Sequence, residues 1–560
     1  MSEDRPPQVP AAAHRIAYYA PLVLAILAAA VFQALLIARS GTVSADSIKF
    51  ISIARGLSDR PIETFREQDQ HPGFAAAVLA STRAAEWLGY RGEPQVWMLG
   101  GRTVTFVCGL LSVWFVWLLG RDLCDVRVAN VAALVFVVLP VPRSNAADSQ
   151  SDTAHVCFYL LAAWLAATAL SSGSWKRLAA AGLASGVAYW IRPEGLEIVV
   201  AALLCLAARA AVAGWGFRRW ALATFALAGC TLAVAGPYCI LAGKFTSKQL
   251  TFAKVRPTPT YLAAQLAQAE AAEATLAAGS SGRPATNATA PATTPGAPTG
   301  DAGSSTRLVL VARLAGKAVA AYCNSICQGF KFVFLPFFFL GVVELLRRKR
   351  NWLPFVLVAL LGLLHSLILL CVFIISGYIA HRHTIPLVGL AMPFAALGVI
   401  GIGQALARRI EIKPNYGVAA TLALSLALVL PYTLRPFNRE FVPVIAATEW
   451  VQSHAAPGAG IVCNSPYVGF YGTLPTASLG PEAWTLDEAL AKARSAAHYD
   501  YVILHVGAHE YRPEWIGQIE TRYRQIQELP DPYCLPSRPR KVLVFESKQL
   551  QARAEQRSRS

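Results

Sequence analysis

Long apolar runs separated by short polar loops dominate the chain, and several reach the roughly 18 to 22 residues that cross a bilayer. Eleven spans are predicted, at about 17–38, 103–120, 128–141, 154–171, a fifth ending at Trp190, a sixth leaving from Gly195, and then 220–242, 329–346, 353–375, 385–406 and 416–433. Residues 1–16 are polar and Pro-rich. The loop 39–101 carries two amphipathic patterns, Ile48 to Leu57 and Phe74 to Leu88, which predict helices lying at the membrane interface. Residues 269–305 are rich in Ala, Thr, Pro, Gly and Ser with almost no large apolar side chain, which predicts a disordered insertion in an outer loop. A semi-amphipathic stretch at about 307–328 leads into the eighth span. The period then changes. From 434 to 560, short apolar strands (Gly460 to Cys463, Tyr501 to His505, Val542 to Phe545) alternate with helical patterns at 442–454 and 486–497, predicting a small soluble α/β domain.

Charge sets the orientation. Basic pairs at Lys176-Arg177, Arg218-Arg219, Arg347 to Arg350 and Arg408-Arg409 fall on one side of this alternation, which the positive-inside rule makes cytosolic. The expected fold is therefore a polytopic α-helical protein of the cell (inner) membrane: cytosolic N-terminus, membrane domain 17–433, extracytoplasmic α/β domain 434–560. Only 15% of the 560 residues are charged and 55% are hydrophobic, against about 25% charged in soluble proteins. A net charge of +17 would suit nucleic acid, but much of the excess sits in the short loops, so no nucleic-acid partner is expected. The 11 cysteines show no CxxC or Cys/His ligand spacing, and several lie in predicted spans, where they read as small core residues. Arg5 and Arg15 precede the first run without a small-residue cleavage site, so that run reads as a retained helix. Asn287-Ala288-Thr289 is a sequon that matters only in a eukaryotic cell.

On this topology the isolated ionisable residues gather on the outer side: Asp46, His71, Asp148, Asp152, Arg192, Glu194, His381, Arg382 and His383. Such groups at span ends are costly unless paired, and are functional candidates. Lone Arg and His suit a phosphate anion, and a neighbouring carboxylate can take a proton from a hydroxyl. Each has a structural alternative. Asp46 is a base or the N-cap of the helix that follows it, and Asp152 a site residue or the cap of span four. Asp148 reads as solvated loop. His71-Pro72 is a substrate contact or a turn, and Arg192 with Glu194 a binding pair or a structural ion pair. Three basic residues in Tyr378 to Thr384 exceed what a snorkelling anchor requires and point to phosphate. His505 and Glu510 read as structural.

In order along the chain, several features resemble the GT-C glycosyltransferases, in particular their protein mannosyltransferase and aminoarabinose transferase-like branch. They are Asp46…Phe50…Ile53-Ala54, His71-Pro72, Asp152 opening span four, Arg192-Pro193-Glu194-Gly195, and Tyr378…His381-Arg382-His383…Pro386. Glu449-Trp450-Val451 and Tyr467…Tyr471 resemble the outer domain of bacterial members. The resemblance spans the chain apart from 269–305. It implies a polyprenyl-phosphate sugar donor, an inverting transfer and a catalytic Asp in the first outer loop. Asp46 would activate the acceptor with Asp152 assisting. Arg382, Arg192 and His381 or His383 would hold the donor phosphate, with His71, Glu194 and Tyr378 also at the substrate. The acceptor would be a protein, lipid or glycan, and membrane lipid a further partner. No cofactor and no metal are expected, because a phosphate leaving group held by Arg needs neither. One departure stands out: many members carry a second acidic residue directly after the first, whereas here Ser47 follows Asp46. A transporter or lipid flippase, or a scaffold, is the alternative. Charges confined to one surface and the lack of an evident internal repeat argue against transport.

Overall fold

A computed structural model describes residues 11–246, 304–347, 352–480, 485–492, 498–506, 511, 513–532 and 540–550. All but the last two residues of the expected insertion at 269–305 lie outside this set, as do Asn287 and Glu510. The helices of the first half are α1 (Ala11–Arg39), α2 (Ala45–Asp59), α3 (Pro61–Glu67), α4 (Gly73–Trp87), α5 (Gln95–Leu123), α6 (Val126–Val138), α7 (Pro140–Ala147), α8 (Ser151–Ser172), α9 (Trp175–Ile191), α10 (Glu197–Ala213) and α11 (Phe217–Ala242). Then follow α12 (Ser304–Gly329), α13 (Phe334–Arg347), α14 (Leu353–Ser376), α15 (Ile385–Arg409), α16 (Pro414–Thr433) and α17 (Val442–His454).

The chain is a multi-pass membrane protein. Among the described residues, 8 helices are long and apolar enough to cross a membrane, or up to 10 if each of two bent pairs is one span. The 17-residue α9, packed between α8 and α11, stands where the fifth of the eleven expected spans was placed but is not among these. Boundaries moved where proline and backbone strain intervene. The third span does not stop at Pro140: Leu139 goes extended and α7 continues at 62° to α6, because proline lacks the N–H that would carry the helix through. The semi-amphipathic stretch is α12, bent by 93° against α13 through Lys331 and Phe332, both at positive φ. At the centre lies α15, almost wholly buried against α13, α16, α6 and α8. Gly398 on α15 and Gly341 on α13 sit where a Cβ would overlap the backbone of the other helix, so small residues set that approach.

The C-terminal domain holds a five-stranded sheet of β1 (Ala459–Cys463), β2 (Thr476–Ser478), β3 (His498–Val506), β4 (Tyr523–Pro530) and β5 (Lys541–Ser547) in the order β2-β1-β3-β5-β4. The first three strands run parallel, and β5 lies antiparallel to both its neighbours, β3 and β4. Alternation splits its faces. Val462, Val502, Leu504 and Phe545 pack with Trp515 and Ile519, while Ile461, Ile503 and Val544 join the core shared with the membrane helices. This domain grips the segment just ahead of α2. Arg439 Nε donates to Arg39 O at 2.9 Å, Asn438 Nδ2 to Thr42 O at 3.2 Å, and the Tyr467 hydroxyl to Val43 O at 3.0 Å.

His505, read as structural in the sequence, is buried. It lies in β3 with its ring against Phe441, and burial pushes its pKa down from 6.5 to about 4, the nearby Arg540 adding to the effect. Protonation therefore favours the unfolded chain. Stability is full above the unfolded pKa of about 6.5 and drains as pH falls toward 4, by on the order of 3 kcal/mol. Thermal unfolding followed from pH 7 to pH 4 should show this loss, and a His505→Gln protein should show a shallower one.

Candidate active site

Ser44 starts the first functional helix. Its hydroxyl accepts from Ser47 N, so Ser44 is the N-cap of α2 and Asp46 is not. Freed of capping, Asp46 stands in the first turn with its side chain 48% exposed and pairs with Arg382. Ser47, buried, donates its hydroxyl to Asp148 at 2.9 Å. An acidic residue at 47 would face that carboxylate, which explains the departure from the Asp-acidic pattern.

Asp148 is not solvated loop. It is 3% exposed, and it accepts from Ser44 N (3.1 Å), Ser47 Oγ, Ser149 N (2.8 Å) and Gln150 Nε2 (2.9 Å). The bend at Pro140 turns this loop beneath α2, and Asp148 is the staple between the two. Asp148→Ala would strand several buried donors and is expected to cost about 3 kcal/mol, with Asp148→Asn milder because its carbonyl still accepts. The midpoint of thermal unfolding measures it.

Gln150 carries the network onward. Its amide N–H also reaches Ser44 Oγ at 2.9 Å, and its carbonyl accepts from Arg382 Nη1 at 3.2 Å. Asp152 is not a cap either: Gln150 holds the N-cap position of α8, and the Asp152 carboxylate pairs with Arg192 and lies 3.7 Å from Arg382 Nε. Arg192 Nε is 3.6 Å from Glu194. The arginine–glutamate turn is thus an ion pair, and it is also part of the polar cluster.

These groups close one end of a cavity of about 790 Å³. Asp46, Asp152, Arg192, Glu194, Tyr378, Arg382 and His383 line it. Much of the remaining lining is apolar: Leu364, Leu367, Ile368, Cys371, Val372 and Ile375 recur at helical spacing along one face of α14, joined by Leu196 and Val200 of the neighbouring segment. A charged head joined to a greasy trough has the shape of a lipid with an anionic head group.

Two expected site residues are elsewhere. His381 lies outside the lining, on the exposed side of the turn His381–Thr384. His71 is buried behind the site, Nδ1 2.8 Å from Tyr189 O and Nε2 3.0 Å from Thr246 Oγ1, its ring against Tyr189 and Tyr238. Its neighbour Gly73 permits that packing, since a Cβ there would meet the Trp190 carbonyl. Glu197, Gln150 and Lys49, the last paired with Asp69 at 2.7 Å, line the cavity without having been singled out in the sequence. Glu197 was visible as a carboxylate opening an apolar run. Among the described residues no group of three or more His, Cys, Asp or Glu is placed to hold a metal ion.

The model of the family described as dolichyl-phosphate-mannose-protein mannosyltransferase matches residues 95–238, the stretch that supplies Asp152, Arg192, Glu194 and Glu197. No curated protein sequence matches the chain. Among solved structures, ArnT from Cupriavidus metallidurans in the apo state aligns with a TM-score of 0.53 at 13% identity, covering 96% of this chain and 98% of ArnT. Its complex with undecaprenyl phosphate gives the same figures. AglB from Archaeoglobus fulgidus, in complex with an inhibitory peptide and a dolichol-phosphate, aligns at 0.53 with 12% identity, covering 88% of this chain and 70% of AglB. The helical array, the sheet domain and these likenesses together show that the chain has the GT-C fold, the fold it shares with ArnT and AglB.

Proposed function

We propose that this protein transfers a sugar, with inversion, from a polyprenyl-phosphate donor to a hydroxyl-bearing acceptor at the outer face of the cell membrane. The observation that carries this reading is the cavity: two guanidinium groups and a half-exposed carboxylate at one end, an apolar trough at the other. The binding of undecaprenyl phosphate by ArnT and of dolichol-phosphate by AglB supports it. Arg382 and Arg192 hold the donor phosphate, the isoprenoid chain lies along α14, and Tyr378 and His383 flank the head group. Asp46 takes the proton of the acceptor hydroxyl as its oxygen bonds to the anomeric carbon from the face opposite the phosphate. The anomeric carbon–oxygen bond breaks with its electrons going to the polyprenyl phosphate, whose charge the guanidinium groups already neutralise, so the step needs no metal. Asp152 and Glu194 keep Arg192 charged and aimed. The acceptor is a protein, lipid or glycan that enters from the side of the C-terminal domain, and the basic doublets face the cytosol.

Purified protein in nanodiscs should bind undecaprenyl phosphate, detected by native mass spectrometry, and an Arg192→Ala, Arg382→Ala protein should lose it. Equal binding by both proteins would remove the phosphate grip from this cavity.

A further inference from the structure

From the cavity wall at Glu197 a polar chain runs into the apolar helices and takes no part in the proposed chemistry. Tyr159 of α8, Glu197 of α10 and His365 of α14 are 0%, 5% and 2% exposed. The Tyr159 hydroxyl donates to Glu197 Oε2 at 2.9 Å. His365 Nδ1 lies 3.0 and 3.1 Å from the two Glu197 oxygens, and His365 Nε2 lies 2.9 Å from the backbone oxygen of His383.

The acceptors fix the hydrogen count. A carbonyl has no proton to give, so Nε2 of His365 carries one. Nδ1 faces a carboxylate, and that contact also needs a proton, on the ring or on the acid. In either case the pair is neutral overall, the state that a low-dielectric interior tolerates. The ring is thereby locked with Nε2–H aimed at His383.

His383 is the residue after Arg382, on the turn His381–Thr384. The turn is closed within itself by Thr384 Oγ1 donating to His381 O at 2.8 Å, and Gln150 meets the Arg382 side chain from α8. The His365 bond ties the turn's backbone to a buried span. We propose that His365, seated by Glu197 and Tyr159, is a positioning residue for the donor phosphate: by holding the His383 carbonyl it fixes the turn that aims Arg382 into the cavity. This rests on the reading of the cavity as a lipid-phosphate site. His365 acts through backbone and does not touch the reacting atoms, so its loss should weaken the hold on donor and leave the chemical step little changed.

Two substitutions separate this role from mere packing. The amide of His365→Asn sits near the position of Nδ1 and cannot reach His383, whereas that of His365→Gln sits near Nε2 and can. In nanodiscs, His365→Asn should raise the Kd for undecaprenyl phosphate and the donor KM about tenfold with kcat within about threefold, and His365→Gln should stay within about threefold of wild type in all three. Hydrogen exchange at the amides of residues 381–385 reports the turn directly, and should be faster in the Asn variant and near wild type in the Gln variant. If wild type binds no undecaprenyl phosphate, the lipid-phosphate reading falls, and exchange alone decides whether His365 holds the turn. Equal exchange in wild type and His365→Asn, or equal weakening by Asn and Gln, overturns the positioning role.

Discussion

Asp46→Asn is expected to abolish sugar transfer while tightening the hold on the donor. The two effects have opposite signs because Asp46 faces two partners in turn. Its carboxylate pairs with Arg382, a guanidinium that the donor phosphate would also claim. In the proposed mechanism donor binding would part the pair, handing the phosphate to Arg382 and releasing Asp46 to accept the acceptor's proton. Asparagine keeps the shape and removes both the charge and the basicity. Loss of a general base lowers kcat by about 10² to 10⁴-fold. Removal of a half-exposed competing carboxylate is worth about 0.5–1 kcal/mol, a two- to fivefold lower donor Kd. A fall in kcat with an unchanged or raised Kd would keep the base and discard the competition. Unchanged kcat would discard the base.

Arg382→Ala should have the largest effect on binding. The Arg382 side chain is 28% exposed and meets Asp46, Asp152 and Gln150, so it is already held in place before substrate arrives. Truncating such a partly buried, hydrogen-bonded charge costs about 2–3 kcal/mol, or a roughly 30- to 150-fold weaker donor Kd. The loss is compounded because Asp46, Asp152 and Glu194 would then face the phosphate with Arg192 as the remaining guanidinium of the cluster. Arg382→Lys should recover only part of it, since an ammonium group cannot grip phosphate and Gln150 through a planar fork. Titration with undecaprenyl phosphate measures both variants.

Much of the architecture was readable from hydropathy alone, because a bilayer demands long apolar helices and tolerates little else. The strands β1, β3 and β5 also showed as apolar runs, being buried on both faces. Strand β4, Tyr-Arg-Gln-Ile-Gln-Glu-Leu-Pro, lies at the sheet edge and is largely exposed, so no hydrophobic alternation marked it. The site was half legible. Asp46, Asp152, Arg192, Glu194, Tyr378, Arg382 and His383 stand out as ionisable or aromatic residues where spans end, and the structure gathers them around one cavity. What failed was distance in the third dimension. Asp148 sits in a polar loop that reads as solvated, and only the bend at Pro140 puts it under α2. His71 was judged by its neighbours in sequence, but the packing of α4 on Trp190 turns its ring away from the cavity. His365 and Glu197 were each a lone ionisable residue in an apolar run, the very signal that marks function in membranes. Their pairing across 168 positions could not be read from one chain.

The most direct test is turnover of a labelled polyprenyl-phosphate sugar by purified protein in lipid, wild type beside Asp46→Asn, with a panel of donors and acceptors. Release of the polyprenyl phosphate by wild type, lost in a folded Asp46→Asn protein that still binds donor, is the expected result. A wild-type protein that turns over no donor in the panel, or an Asp46→Asn protein as active as wild type, would contradict it.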